Sequence, residues 1–212
     1  MNRDQLKFTA CLSMLIDHIG IVFLEPNSCS YFLFRGVGRL ACPIFLWLLV
    51  DGFRRTKTPL IHIRNLLILG LATEPIYDKV LHNTWFYWKS QNILLTWTFC
   101  YLMIFLLSKI EKSKDKYVYA SMIIFSFSVV ACLLRLDYIF MATISAALCY
   151  YLQESSNLLA PIPFMIDSPL TICSVPIISS YKPRIGEKSK LKSFFYLFYP
   201  LHLVVLYLVK IV

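Results

Sequence analysis

Apolar runs long enough to cross a bilayer recur along the whole chain, and no other feature constrains its fold as strongly. A membrane-spanning helix needs roughly 20 mainly apolar residues. On that measure Leu6 to Leu24 is a first span, ending at Glu25-Pro26-Asn27, and Leu40 to Phe53 is a second. The third covers Leu66 to about Val80 and breaks near Glu74-Pro75, because proline removes a helix hydrogen bond and clashes with the preceding turn. Ile93 to Ile110, Tyr117 to Leu134 and Tyr138 to Leu152 follow as the fourth, fifth and sixth. Leu158 to Ser180 holds Pro161, Pro163, Pro169 and Pro176 and reads as a kinked span or as two half-spans; Phe194 to Val212 is the last. The expectation is an all-α, polytopic transmembrane helix bundle of about eight spans (seven to nine), a single integral membrane domain over residues 1–212.

Composition excludes the main alternatives. Hydrophobic residues make up 58% of the chain and charged residues 16%, against about a quarter charged in a soluble domain, and no soluble domain fits between the runs. The opening stretch mimics a secretory leader, with Arg3 and Lys7 ahead of apolar residues. Asp17 and His18 interrupt that run and no small-x-small cleavage site follows, so it reads as a retained first span. The formal charge of +9 resides in short loops between spans, which points to membrane orientation rather than nucleic-acid binding. Trp85, Tyr87 and Trp88 suit the headgroup boundary. The seven cysteines show neither CxxC nor zinc-type spacing and read as unpaired structural thiols, with no metal site.

The basic loops set the orientation. The amino terminus, Arg54 to Arg64 and Lys109 to Lys116 share one side if the first five spans alternate, and that side is expected to be cytoplasmic. Eight simple spans would put the loop Lys182 to Lys192 on the other side; two half-spans at Leu158 to Ser180 would bring it back.

Ionisable residues at bilayer depth are costly, usually face the bundle interior and usually serve function. Asp17 and His18 lie mid-span in Met14-Leu-Ile-Asp-His-Ile-Gly20. Neighbouring helix positions point about 100° apart, so one reaches a substrate while the other holds an arginine or a backbone group. The alternative is a buried pair that joins two helices. Histidine suits proton transfer near neutral pH. Arg35-Gly-Val-Gly-Arg39 precedes the second span, with two fixed charges able to grip phosphate or carboxylate and two glycines expected to let the backbone turn; interfacial anchoring is the other reading. Glu74, and Asp51 near the end of the second span, read as counter-ions for Arg39 or as part of a site. Tyr199-Pro200-Leu-His202 opens the last span, and Asn92 opens the fourth as a cap or a site residue.

Taken together these strings resemble the TraX family. The resemblance rests on Leu12-Ser-Met-Leu-Ile-Asp-His-Ile-Gly20, Gly38-Arg39-Leu-Ala-Cys-Pro-Ile-Phe45 with Asp51-Gly-Phe53, Ala72-Thr-Glu-Pro-Ile-Tyr77, Asn92-Ile-Leu-Leu-Thr96 and Phe195-Tyr-Leu-Phe-Tyr-Pro-Leu-His-Leu203, in the family's order across nearly the whole chain. The family is named for a conjugation protein that acetylates the amino terminus of pilin. It in turn resembles a large superfamily of multi-span membrane acyltransferases with a first-span histidine and an arginine followed three positions on by proline. His18 and Arg39…Pro43 fit that scheme with one extra residue. The chain departs from the family at Thr73-Glu74-Pro75-Ile76-Tyr77, where Ser-Glu-Ile-Pro-Tyr is common, and lacks the usual glycines after Asp137-Tyr138.

The resemblance implies a membrane O- or N-acetyltransferase of the bacterial inner or plasma membrane. Acetyl-CoA is the implied donor substrate, with no bound cofactor, and the implied acceptor is a pilin-like peptide or a surface glycan. In that reading His18 is the general base or relays acetyl, with Asp17 orienting it or pairing with an arginine. Arg35 and Arg39 bind donor phosphates or the developing oxyanion, and Glu74, Asn92, Tyr199 and His202 form the site wall. Two other classes share the buried charges: a small proton-coupled transporter and a non-enzymatic assembly factor of a conjugation or surface apparatus.

Overall fold

The computed structural model describes residues 1–152, 156–182 and 191–211. The chain folds as helices α1 (Arg3–Phe23), α2 (Cys29–Gly38), α3 (Ala41–Arg55), α4 (Pro59–His82), α5 (Ile93–Ile110), α6 (Lys116–Leu133), α7 (Ile139–Tyr151), α8 (Ser156–Leu159), α9 (Ser174–Ser179) and α10 (Lys192–Ile211), with two 3₁₀ turns at Ile162–Ile166 and Pro169–Cys173. Among the described residues, five helical segments are long and apolar enough to cross a membrane: Arg3–Phe23, Cys29–Arg55, Ile93–Ile110, Lys116–Leu133 and Phe194–Ile211. The chain is an all-helical membrane bundle. Its core centres on Leu6, Ile44, Leu46, Met103, Ile104 and Leu203, all fully buried.

Capping side chains start three of these helices, at α5 as expected from Asn92 and at α1 and α2 where a cap had not been anticipated. Asn2 and Gln5 form a reciprocal capping box on α1, Ser28 accepts from the Tyr31 N–H at α2, and Asn92 accepts from the N–H groups of Leu94 and Leu95 at α5. Two expectations about breaks are corrected. Gly36 and Gly38 do not turn the backbone: they lie within α2, and the offset comes at Arg39-Leu40 before α3 resumes. Their use is close packing. A Cβ at Gly38 would collide with the Asp17 side chain, so its absence lets α2 lie directly on α1. Nor does Pro75 end the third span, since α4 runs unbroken from Pro59 to His82. Before the proline, Asn92 Nδ2 at the start of α5 donates to the Gly70 carbonyl (2.8 Å) and to Glu74, and beyond it the Tyr87 N–H donates to Asp78 (2.7 Å).

The proline-rich stretch forms short segments rather than a crossing. α7 ends beside the basic loop, where Arg54 donates to the carbonyls of Cys149 (2.7 Å) and Tyr150 (2.9 Å). From there the chain passes the middle of α7, where Ser145 Oγ donates to the Ala160 carbonyl, and reaches Arg39 with Asp167. It then returns to the amino-terminal face. The Met1 ammonium donates to the Ser180 carbonyl (2.6 Å) and the Lys182 N–H donates to the Met1 carbonyl (3.1 Å). Pro161, Pro163 and Pro169, unable to donate within a helix, fall at the interruptions, while Pro176 is accommodated in the first turn of α9. This is the half-span alternative. α10 then starts on the same face, where Tyr196 OH lies 2.8 Å from His62 Nδ1, and ends on the opposite one, where Lys210 donates to the Val80 carbonyl and Asn83. Lys182 and the start of α10 therefore both sit on the amino-terminal side, while 183–190 lie outside the described residues.

Candidate functional site

The far half of α1 carries a buried polar cluster. His18 Nδ1 lies 2.8 Å from His202 Nε2, and both residues are buried. The second nitrogen of His202, Nδ1, lies 2.9 Å from the Phe198 carbonyl one turn earlier in α10. A carbonyl only accepts, so Nδ1 of His202 carries the proton and, in the neutral ring, Nε2 accepts. His18 Nδ1 is then the donor, and His18 Nε2 is left with a lone pair. The chain from Phe198 through His202 thus fixes one tautomer of His18. His202 is stacked between the His18 ring (4.9 Å) and the Phe198 ring (5.2 Å), with Tyr199 edge-on at 5.4 Å.

The adjacent carboxylate points elsewhere, as a helical turn requires. Asp17 accepts from Arg35 at 2.5 Å, so it holds an arginine and does not orient the imidazole. Arg39 is held from two sides, by Asp167 at 2.9 Å and by the Tyr138 hydroxyl at 3.0 Å. Next to Tyr138, in the turn between α6 and α7, burial raises the Asp137 carboxyl to about 6 against the lowering influence of Arg39 and the Tyr138 N–H. A cavity of about 130 Å³ opens between these groups, lined by Asp17, His18, Arg35, Arg39, Asp137 and Tyr199 among others. It brings together an imidazole, two guanidinium groups and two carboxyl groups around one space. That combination can take a proton from an acceptor and stabilise negative charge on a carbonyl oxygen.

Of the residues singled out from sequence, Asp17, His18, Arg35, Arg39 and Tyr199 line this one cavity. His202 stands behind His18 rather than on the wall. Glu74 and Asn92 line neither this cavity nor a second one of about 310 Å³ that shares Tyr199 with it and extends toward Arg3 and Lys7; they bind each other and clamp α4 to α5. The expected pairing of Glu74 or Asp51 with Arg39 is corrected as well. Asp51 bonds Arg3 (2.5 Å) and Arg55 (3.0 Å) near the amino-terminal face, and the partner of Arg39 is Asp167. Sequence reasoning missed Asp137, Tyr138 and Asp167 as site residues. A lone carboxylate inside an apolar, proline-rich stretch was the available signal for Asp167.

Fold and site together define a polytopic helical membrane protein with a buried histidine pair and paired arginines around an internal cavity. The chain belongs to the TraX family: the family model described as "TraX protein" matches residues 2–210. It is also similar to a probable fimbrial assembly protein FimC, serogroup H1, from Dichelobacter nodosus, at 30% identity over 99 residues. That match covers 43% of this chain and 41% of the relative, so the chain aligns with about two fifths of that protein's length. No solved structure matches the chain.

Proposed function

We propose that the chain is a membrane-embedded acetyltransferase of the bacterial cytoplasmic membrane that moves acetyl from acetyl-CoA to a pilin-like amino terminus or to a surface-polymer hydroxyl. The observation that carries this reading is the His18–His202 pair, whose bonding leaves an unshared lone pair on His18 Nε2, with two arginines lining the same cavity as His18. His18 Nε2 takes the proton of the acceptor amine or hydroxyl as its nitrogen or oxygen attacks the thioester carbonyl. A C–N or C–O bond forms, the C–S bond breaks, and the leaving thiolate receives the proton from His18. Arg39, held in place by Asp167 and Tyr138, supplies fixed positive charge for the oxyanion. Arg35, neutralised by Asp17, positions that wall.

Membership of the TraX family and similarity to a fimbrial assembly protein support a role alongside pilin-type subunits. The test is transfer of labelled acetyl from acetyl-CoA by the purified protein to a pilin amino-terminal peptide and to surface glycan. Loss of transfer in His18→Ala with the fold retained is expected. Full activity of His18→Ala in supporting pilus assembly, with no acetylated product in the wild type, would instead identify an assembly factor. Vectorial uptake into liposomes without a covalent product would identify a transporter.

A further inference from the structure

Among the described residues, Asp137 is the carboxylate on the cavity wall that forms no ion pair. Arg35 is bonded to Asp17 and Arg39 to Asp167, whereas the Asp137 carboxylate accepts one hydrogen bond, from the N–H of Tyr138 (3.1 Å). The ionisable groups facing it are Asp17 of α1, Arg35 of α2, Arg39 and Cys42 around the start of α3, Tyr77 of α4 and Tyr199 of α10. Only the two arginines are cationic, and both are engaged by other carboxylates. With His18 and His202 neutral, two guanidinium groups therefore stand against three carboxylates. A carboxylate left over in a partly desolvated space is costly unless a cation or a proton joins it.

The backbone that presents Asp137 is strained. Arg135, Tyr138 and Ile139 have φ of 54°, 57° and 42°, in the left-handed region that non-glycine residues rarely adopt, β-branched ones least of all. The turn is held from α6 and from the start of α5. Thr96 Oγ1 donates to the Asp137 carbonyl (3.1 Å), the Gln91 N–H to the Arg135 carbonyl (3.3 Å) and the Leu136 N–H to the Ala131 carbonyl (3.1 Å). Such strain persists where the surroundings over-determine the backbone, and here it sets one carboxylate on the cavity wall. Tyr77, Trp97, Tyr138 and Tyr199 line the same space. A carboxylate among aromatic rings suits an organic ammonium ion.

An amino terminus has a pKa of about 8, so near neutral pH it arrives mostly as ammonium, without a lone pair to attack. It must lose one proton before the C–N bond forms and a second as it forms. His18 Nε2 offers a single lone pair. We propose that Asp137 is a second catalytic residue of this site: its carboxylate binds the ammonium form of an amine acceptor and takes the first proton, leaving His18 free for the second. This inference rests on the acetyltransferase reading and deepens it on the acceptor's side. In the first step an ammonium N–H bond breaks and an O–H bond forms on Asp137. In the second the amine lone pair forms the C–N bond, His18 takes the next proton, the C–S bond breaks and the thiolate receives that proton. The proton on Asp137 passes to water as the amide leaves, so ammonium and thioester give amide, thiol and one proton. Burial assists, since a carboxyl at about 6 lies nearer the amine than an ordinary one at about 4. A hydroxyl acceptor has one proton to lose and needs only His18.

The test uses the full-length protein in lipid nanodiscs, labelled acetyl-CoA and two versions of one pilin amino-terminal peptide. One has its ordinary amino terminus; the other carries an aminooxyacetyl cap, a weak base that enters neutral. Asp137→Asn keeps the shape but cannot take the proton. It is expected to lower kcat/KM for the ordinary peptide about 100-fold at pH 7, with about tenfold regained by pH 9 as the amine deprotonates in solution. Transfer to the aminooxy peptide should change by less than about threefold, since it skips the first proton step. If Asp137→Asn does not fold, the wild type decides: below a pH of about 6 the ordinary peptide shows an acid limb, from protonation of Asp137, that the aminooxy peptide lacks. Equal losses toward both peptides at every pH, or identical acid limbs, overturn the role of Asp137 and leave the acetyltransferase reading standing. Transfer confined to surface glycan does the same. No transfer by the wild type to any acceptor removes that reading, and the role of Asp137 with it.

Discussion

His18 and His202 stand 2.8 Å apart across the α1–α10 contact although 184 positions separate them in the chain. Because His202 donates its other proton to the Phe198 carbonyl, it acts on His18 as a fixed acceptor. His202→Ala is therefore expected to lower acetyl transfer about 100-fold, toward the loss in His18→Ala, since general-base catalysis contributes 10² to 10⁴. The double variant should fall little further than either single one. Strictly multiplicative losses in a double-mutant cycle would show that the two rings do not work as a unit.

Arg39 owes its position to a carboxylate in the re-entrant stretch. With side-chain exposures of 20% for Arg39 and 29% for Asp167, the pair is partly screened. Asp167→Asn should cost about 1–2 kcal/mol rather than the larger loss of a fully buried pair. It should also depress kcat more than KM, because the guanidinium loses its anchor at the oxyanion position. Thermal unfolding in detergent and steady-state kinetics measure the two effects. An unchanged kcat would remove Arg39 from the transition state.

Gly38 marks the closest approach of α2 to α1. Gly38→Ala sets a methyl group against Asp17 and should destabilise the fold by about 1–3 kcal/mol, the usual range for overpacking. Gly36→Ala meets the far end of a flexible Leu170 side chain at 2.6 Å and should be milder. Equal melting temperatures for the two variants would contradict the packing described for α1 and α2.

Asn92 combines a helix cap with two bonds to α4. Asn92→Ala removes the acceptor for the Leu94 and Leu95 N–H groups and the donor to Gly70 and Glu74, an expected loss of about 2–3 kcal/mol. Asn92→Ser retains a capping oxygen and should recover part of it. Catalysis by the folded fraction should be unaffected in both, since neither Asn92 nor Glu74 lines the two cavities. A kcat lowered at full folding would return Asn92 to the site.

The re-entrant path fixes the side of Lys182. A cysteine introduced there in a cysteine-free background should react with membrane-impermeant maleimide only when the face of the amino terminus is exposed. Labelling from the opposite face would require a full crossing between α7 and α10.

The membrane bundle was legible from sequence because hydropathy is local and additive: each run declares its own burial in lipid, and α5 begins and ends where the apolar pattern does. The cap at Asn92 was an equally local matter. Asp17, His18 and Arg39 stood out because a charge inside an apolar run is anomalous wherever it occurs. What pairs with what was not readable. Asp17 could face His18 or an arginine until the helix turn and the glycine contact with α2 aimed it at Arg35. Pro75 looked like a break, yet α4 runs through it from Pro59 to His82. Asp167 looked like part of a span until the re-entrant stretch brought it to Arg39. The sequence alone determined a helical membrane bundle with ionisable groups inside it. Only the tertiary structure decided that His18 meets His202 and that two cavities adjoin at Tyr199. Those relationships depend on which helix faces pack together, and residues far apart in the chain carry no local record of that choice.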